Sequence, residues 1–135
     1  MILSDTSVWI DYYRNRQNPA VEYLTGILDR SEPFAITGLI LQELLQGAAD
    51  EQEWLLLDEY FSTQRFLEPV NPIETHRAAA RLFFLCRRRG TTPRSAIDCV
   101  IARLAIEYQV PLLQNDKDYV CLRNVAPELR LLPAD

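Results

Sequence analysis

Two patterns of hydrophobic and polar positions alternate along the chain: short apolar runs and longer segments with helical spacing. The short runs are typical of buried strands, and they read MILS, PFAIT, RFLEPV, VPLLQ and, near the end, LRLLP. Helical spacing predicts six helices between the first four runs, in SVWIDYYR, AVEYLTGILDR, LILQELLQG, DEQEWLLLDEYFS, IETHRAAARLFFLCRRRG and SAIDCVIARLAIEYQ. The segment NDKDY after the fourth run has the composition of a polar turn.

The order of these elements predicts an α/β fold. No hairpin signal joins consecutive strands, and one or two helices separate each of the first four, so we expect a parallel sheet covered by helices on both faces. With 135 residues, 48% of them hydrophobic, the chain can bury one core, which predicts a single domain over residues 1–135. Sites in such sheets form at the carboxyl ends of strands, near a switch in strand order.

Two acids follow predicted strands. Asp5 comes directly after MILS, and Asp116 lies just after VPLLQ. If the two strands are neighbours, both carboxylates face the same crevice. Each acid also has an equally supported local interpretation, with Asp5 as the N-cap of the next helix and Asp116 as the acid of an Asx-turn.

A third acid, Glu43, projects from the apolar arc of its helix. On a helical wheel its side chain falls between Leu39 and Ile40. A carboxylate inside an apolar arc is unfavourable unless a neighbouring group compensates its charge. The alternative is an ordinary acid at the edge of a short, exposed helix.

The fourth acid, Asp98, points away from the polar face of its helix. It lies on the same line as Ala102 and Ala105, and these small residues would let the helix approach the sheet closely beside the carboxylate. The alternative is a capping box formed with Ser95, although Glu or Gln is the usual partner at the second position. The two roles are compatible.

One hypothesis accounts for all four acids, namely that they converge on a hard divalent cation. Mg²⁺ and Mn²⁺ take oxygen ligands. Without a cation, two carboxylates about 4 Å apart repel by roughly 4 kcal/mol at an effective dielectric constant of about 20. The separate local interpretations explain only one acid each.

The composition of the chain limits which other partners, compartments and metal sites are compatible with it. The net charge of −5 disfavours general nucleic-acid coating, although Arg87, Arg88, Arg89 and Arg94 cluster within eight positions. Three cysteines without a C-x-x-C pair favour a reducing, cytoplasmic compartment, and no run is long enough to span a membrane. The only histidine, His76, is expected on an exposed helix face, which excludes a His-rich zinc site.

Four segments, taken in order, carry a family resemblance: MILSDTSVWID, LILQELLQG, SAIDCVIARLA and PLLQNDKDY. In this order and spacing they resemble the PIN-domain ribonucleases, specifically the VapC-type toxins. The resemblance covers essentially the whole chain. It implies a five-stranded parallel sheet flanked by helices on both faces.

The resemblance also implies roles for individual residues. The positions that match the family's acidic quartet are Asp5, Glu43, Asp98 and Asp116, with Asp5, Asp98 and Asp116 as metal ligands. Supporting roles fall to Ser7, Asn115 and Asp118. Gln114 stands where the family often has a hydroxyl residue, and Tyr119 stands where Phe is more usual. These two departures concern the metal geometry around Asn115 and Asp116.

The activity implied by the resemblance is that of a Mg²⁺- or Mn²⁺-dependent endoribonuclease, the toxin of a type II toxin–antitoxin pair. The metal would activate a water molecule for attack on an RNA phosphodiester. The implied partners are RNA, a second copy of the chain in a homodimer, and a small antitoxin protein. We expect Arg94 to hold a substrate phosphate.

Two alternatives differ in function class. A Mg²⁺-dependent phosphoacceptor regulatory domain needs paired acids after the first strand and a lysine after a late strand, whereas Asp5 stands alone and Lys117 lies between two aspartates. The other alternative is a non-catalytic partner-binding module with the same fold. The intact acidic quartet argues against that module.

Overall fold

A computed structural model describes residues 1–134, which contain five strands in one sheet. The strands are β1 (Ile2–Ser4), β2 (Phe34–Ile36), β3 (Arg65–Phe66), β4 (Leu112–Leu113) and β5 (Leu131–Leu132). All four pairings are parallel, in the order β3-β2-β1-β4-β5. The predicted five-stranded parallel sheet is confirmed. The predicted domain also includes Asp135, which lies outside the described residues.

Seven helices surround the sheet within residues 1–134. They are α1 (Thr6–Tyr13), α2 (Pro19–Asp29), α3 (Gly38–Gln46), α4 (Glu51–Phe61), α5 (Pro72–Arg88), α6 (Ala96–Tyr108) and α7 (Lys117–Val125). Each helix begins after a polar side chain that accepts a hydrogen bond from a first-turn N–H, which satisfies an otherwise unpaired donor. None of these helices combines the length and apolar character that crossing a membrane requires.

One prediction was wrong: the segment NDKDY is not simply a polar turn, because it leads into helix α7. Asp116 caps this helix by accepting the N–H of Asp118 at 2.9 Å. Tyr119 and Leu122 are then fully buried, and their packing holds the helix in place. The first turn of α7 is polar because it forms part of the site, so the apolar periodicity that marks a helix starts too late to be recognised.

The strand order reverses at the centre of the sheet. The chain runs outward from β1 through β2 to β3 and returns on the other side of β1 as β4. Leu3 and Ser4 therefore pair with Leu112 and Leu113, and the carboxyl ends of β1 and β4 lie side by side. This switch point is where parallel sheets open a crevice for ligands.

An aromatic cluster fixes α1 against the sheet and α4. Trp9 is 1% exposed, and its ring lies 5.3 Å from the Phe34 ring and 4.9 Å from the Phe61 ring. The rings of Trp9 and Phe61 are buried, and their packing anchors α1. Because α1 begins directly after Asp5, the cluster also fixes the direction of the chain at the strand end.

Helix α6 buries two small residues in the core, on the side that was predicted to face the sheet. Ala102 and Ala105 are buried, and Cys99 is 1% exposed as part of the same core. The opposite side of the helix carries the predicted pair between Arg103 and Glu107, with 3.5 Å between nitrogen and oxygen. The amino-terminal end of α6 lies beside the residue that follows β1, because the Tyr119 hydroxyl contacts both Asp98 and Asp5.

Candidate active site

Asp5 is fixed by the strand before it and the helix after it. Its N–H donates to the Leu113 carbonyl at 2.9 Å, which extends the contact between β1 and β4 to the site. Its Oδ2 accepts the Ser7 N–H at 3.1 Å and the Ser7 hydroxyl at 2.6 Å, so the capping interpretation is confirmed. Asp5 is only 4% exposed, and burial raises its pKa against the lowering effect of these hydrogen bonds.

Tyr119 connects two of the acids. Its hydroxyl lies 2.8 Å from Oδ1 of Asp5 and 3.3 Å from Oδ1 of Asp98. A phenol has one proton to donate, so it cannot satisfy both carboxylates at once. Burial raises the pKa of Tyr119 well above its ordinary value, with the charges of Asp5 and Asp98 acting in the same direction. The hydroxyl therefore stays protonated and serves as a donor.

Asp98 is a strongly perturbed carboxyl group of the site. Burial, together with the negative charges of Asp5 and Asp116, raises its pKa to about 7. It lies in the first turn of α6, where Ser95 is the N-cap and accepts the Ile97 N–H at 3.1 Å. Ser95 thus caps the helix, while the Asp98 carboxylate turns towards Tyr119 and the other acids.

Asp116 and Asp118 share a cation from the chain itself. The Arg94 guanidinium donates to Oδ1 of Asp116 at 2.9 Å and to Oδ2 of Asp118 at 3.2 Å. The Arg94 backbone N–H also donates to Oδ2 of Asp118, at 3.1 Å. The Asp116 N–H donates to the Gln114 side-chain oxygen at 2.7 Å, so Gln114 shapes the loop at the position where the family pattern often has a hydroxyl.

Three carboxylates lie close enough to share one metal ion. Ligand oxygens of Asp98, Asp116 and Asp118 are all within 4.8 Å of one another. Asp5 adjoins this group through the Tyr119 hydroxyl that it shares with Asp98. The sequence prediction named Asp5, Asp98 and Asp116 as ligands and gave Asp118 a supporting role. The structure brings all four residues together, and Asp118 belongs to the group of three whose oxygens could share a metal ion.

Glu43 enters the crevice from α3. Its Oε1 accepts the Thr6 hydroxyl at 2.9 Å, which ties α3 to the first residue of α1. Burial raises the pKa of Glu43, and the nearby charge of Asp5 adds to the effect, while the Thr6 hydrogen bond opposes it. The carboxylate inside the apolar arc is therefore compensated in part by Thr6 and faces the other acids.

A second network holds the loop after β4 against α1. The Asn115 N–H donates to the Ser7 hydroxyl at 3.1 Å, and its side-chain amide donates to Asp11 at 2.8 Å. Asp11 also accepts from Arg16 and Asn18 at 3.0 Å each. Burial tends to raise the pKa of Asp11, but these three donors outweigh it and lower the pKa. Asp11 is thus an ionised anchor for the loop that carries Asp116.

Three residues that contribute to the site were not predicted from the sequence. Asp11 and Thr6 were not singled out, and Tyr119 was noted only as a departure from the family pattern. The available signal for Asp11 was its place within the motif DTSVWID, six positions after Asp5. Thr6 and Tyr119 give no local signal, because their partners lie 37 and 114 positions away in the chain.

Comparison with known proteins agrees with this geometry. A family model described as the PIN domain matches residues 2–126. The VapC ribonuclease Mb1587 of Mycobacterium bovis is 34% identical to this chain over 120 residues, which cover 88% of this chain and 89% of that protein. Ribonuclease VapC11 of Mycobacterium tuberculosis shows the same identity and coverage.

A solved structure shares the fold. The crystal structure of FitAcB from Neisseria gonorrhoeae matches with a TM-score of 0.67 at 16% sequence identity, covering 97% of this chain and 96% of that one. At this identity the likeness concerns the fold alone. Together with the family match over residues 2–126 and the 34% identity to curated relatives, the finding identifies the chain as a member of the PIN-domain family, similar to the VapC ribonucleases.

Proposed function

We propose that the chain is a Mg²⁺- or Mn²⁺-dependent endoribonuclease of the VapC type and the toxin of a toxin–antitoxin pair. The observation that carries the proposal is the convergence of buried acids at the switch point of the sheet, where burial and negative neighbours raise the pKa of Asp98 to about 7. The relatives that are 34% identical to the chain bear the name ribonuclease. The phosphoacceptor alternative lacks the paired acids that it needs after β1, where Asp5 stands alone.

The donor set fits a hard divalent cation. Carboxylate oxygens are the preferred ligands of Mg²⁺ and Mn²⁺, and three of them lie within 4.8 Å of one another. We propose Asp98, Asp116 and Asp5 as ligands, with Asp118 sharing the role. A divalent cation bound there supplies the positive charge that makes water more acidic and offsets charge growing on a scissile phosphate.

The remaining groups of the crevice orient the reacting atoms. We assign Glu43 to accept a proton from the attacking water, because its raised pKa makes the carboxylate a better base than an exposed glutamate. The Thr6 hydroxyl fixes its orientation. The Tyr119 hydroxyl lies between the carboxylates of Asp5 and Asp98 and donates its proton to one of them at a time.

Arg94 takes two roles in succession under this proposal. In the absence of a divalent cation, its guanidinium neutralises Asp116 and Asp118. A cation that binds these carboxylates competes with Arg94 for the same oxygens. The side chain is 68% exposed, so it is free to swing out and hold an RNA phosphate beside the crevice.

An apolar groove lies next to Glu43, and we propose it as the partner surface. A groove of about 510 Å³ runs between α1, α3 and α4, with Leu44, Leu57 and Glu43 in its lining. Two large apolar side chains on its rim, Tyr13 and Leu56, are 48% and 62% exposed. We propose that an apolar segment of the antitoxin occupies this groove and covers the acidic crevice. We further propose that the toxin is a homodimer.

Replacing Asp98 with Asn tests the catalytic assignment. The amide keeps the shape of the side chain but cannot supply a carboxylate ligand, so we expect Mg²⁺-dependent RNA cleavage to fall by at least a hundredfold. Asp29→Asn, on the exposed end of α2, is the matched control and should retain full activity. Cleavage is followed by sequencing RNA ends, with Mg²⁺ and with EDTA. Normal cleavage by Asp98→Asn would show that the assignment is wrong.

The raised pKa of Asp98 predicts a pH-dependent stability in EDTA. A raised carboxyl pKa favours the folded protein at low pH, and this contribution is lost as the pH rises from about 4 to about 7. Asp98→Asn removes the effect. Between pH 5 and pH 8, the free energy of unfolding of the variant should therefore rise by roughly 1–2 kcal/mol relative to that of the unaltered protein, after allowance for solvent screening. Urea unfolding at both pH values measures the difference. If the difference in free energy of unfolding between the two proteins did not change with pH, this electrostatic explanation would be contradicted.

Replacing Arg94 with Gln tests the competition for Asp116 and Asp118. Removing the resident cation should tighten Mn²⁺ binding by about fivefold, the equivalent of two partly exposed ion pairs. Isothermal titration calorimetry gives the affinity, and Arg77→Gln, which breaks an ion pair with Glu74 away from the crevice, is the control. Unchanged or weaker Mn²⁺ binding by Arg94→Gln would rule out competition.

Replacing Leu56 with Glu tests the partner groove. A charge on the rim should reduce recovery of the complex at least tenfold when the chain is co-expressed with the protein encoded by the neighbouring gene. Val70→Glu is the control, because Val70 is 90% exposed and lies outside the groove. Equal recovery of the complex with both variants would show that the partner binds at another surface.

A further inference from the structure

The part of the chain that precedes Asp98 has an unusual charge distribution. Residues 75–97 contain none of the 19 acidic residues and six of the 14 Lys and Arg residues. They form most of α5 and the connection to α6. Since the whole chain carries a net charge of −5, positive charge is concentrated here against the overall sign.

Three of these arginines surround one aromatic ring. The guanidinium carbons of Arg81, Arg87 and Arg88 lie 5.1, 5.9 and 5.6 Å from the centre of the Phe84 ring. Among residues 1–134, none of the three forms an ion pair, and all three side chains are exposed. We call these four side chains the arginine strip. Three like charges around one ring repel one another, and an anion bound between them would relieve that repulsion.

The arginine strip lies beside a groove between α5 and α6. The groove, of about 430 Å³, runs between α5 and α6 and is lined by Phe83, Phe84 and Arg87 on α5 and by Ala96 on α6. Ala96 is two positions before Asp98. Helices α5 and α6 are joined by the short connection 89–95 and pack against each other, and Arg87 lies at the end of α5 that this connection joins to the start of α6.

We propose that the arginine strip is the docking surface for single-stranded RNA outside the catalytic crevice. Guanidiniums bind phosphates through charge-assisted, often bidentate hydrogen bonds. Aromatic rings and guanidinium planes both stack on nucleobases, which have a flat face whatever the sequence. The strip therefore offers both contacts that RNA needs, on a protein whose overall charge repels RNA. The inference rests on the proposed ribonuclease function.

RNA binding without cleavage tests the inference. Fluorescence anisotropy with a labelled single-stranded RNA of mixed sequence is measured in EDTA over a series of NaCl concentrations. Arg87→Gln/Arg88→Gln should weaken binding at least fivefold and reduce the salt slope by about 1.4, or about 0.7 per lost phosphate contact. Phe84→Leu should weaken binding roughly fivefold with an unchanged salt slope, because it removes stacking alone.

The matched control changes the net charge equally at another place. Arg30→Gln/Arg65→Gln removes two exposed arginines outside the strip and should leave RNA affinity within twofold of the unaltered protein. Light scattering gives the molar mass of every variant. Unchanged RNA affinity in the Arg87/Arg88 variant would overturn the inference, as would equal losses in the control. A changed molar mass in the Arg87/Arg88 variant would also overturn it and assign the strip to contacts between copies of the chain.

The same experiment separates the strip from catalysis. If the unaltered protein binds RNA through the strip but cleaves none with Mg²⁺ or Mn²⁺, the proposed ribonuclease function fails and the docking surface stands. If cleavage is metal-dependent and the strip variants bind RNA normally, the docking surface fails and the ribonuclease stands. If the unaltered protein did not bind RNA at low salt, the inference that the arginine strip docks RNA would be overturned directly.

Discussion

Mutual repulsion between confined carboxylates is the constraint on which the site depends. Oxygens of Asp98, Asp116 and Asp118 lie within 4.8 Å of one another, and each ionised pair at that distance costs about 3–4 kcal/mol at an effective dielectric constant of about 20. The protein meets this cost with local devices: the single proton of Tyr119, the raised pKa of Asp98 and the guanidinium of Arg94. Each device relieves part of the repulsion, and a divalent cation would relieve most of it.

The fold imposes this crowding. Strands β1 and β4 are neighbours because the chain reverses its direction across the sheet, so the residues after them share one crevice. The aromatic cluster around Trp9 fixes α1, and the Tyr119 hydroxyl joins Asp98 at the start of α6 to Asp5 at the end of β1. Asn115 closes the arrangement by joining the loop after β4 to α1. The packing of the core thus holds the acidic groups in fixed positions although they repel one another.

Much of the fold and part of the site could be predicted from local sequence patterns. The remaining features could not, and the physical reasons can be identified. Apolar runs and helical spacing predicted the parallel sheet and six of the seven helices within residues 1–134, and the positions of Asp5 and Asp98 after a strand and on an apolar helix face marked them as unusual. Helix α7 was missed because its first turn is polar. The bond from Tyr119 to Asp5 spans 114 positions, so it depends on tertiary packing that no local pattern encodes.

The central claim is that the crowded carboxylates bind a divalent cation, and diffraction from crystals soaked in MnCl₂ tests it most directly. The account predicts an anomalous difference peak coordinated by oxygens of Asp98 and Asp116, with the Arg94 guanidinium displaced from at least one of its two carboxylates. A map with no peak in the crevice, and with both Arg94 ion pairs intact at saturating Mn²⁺, would contradict it.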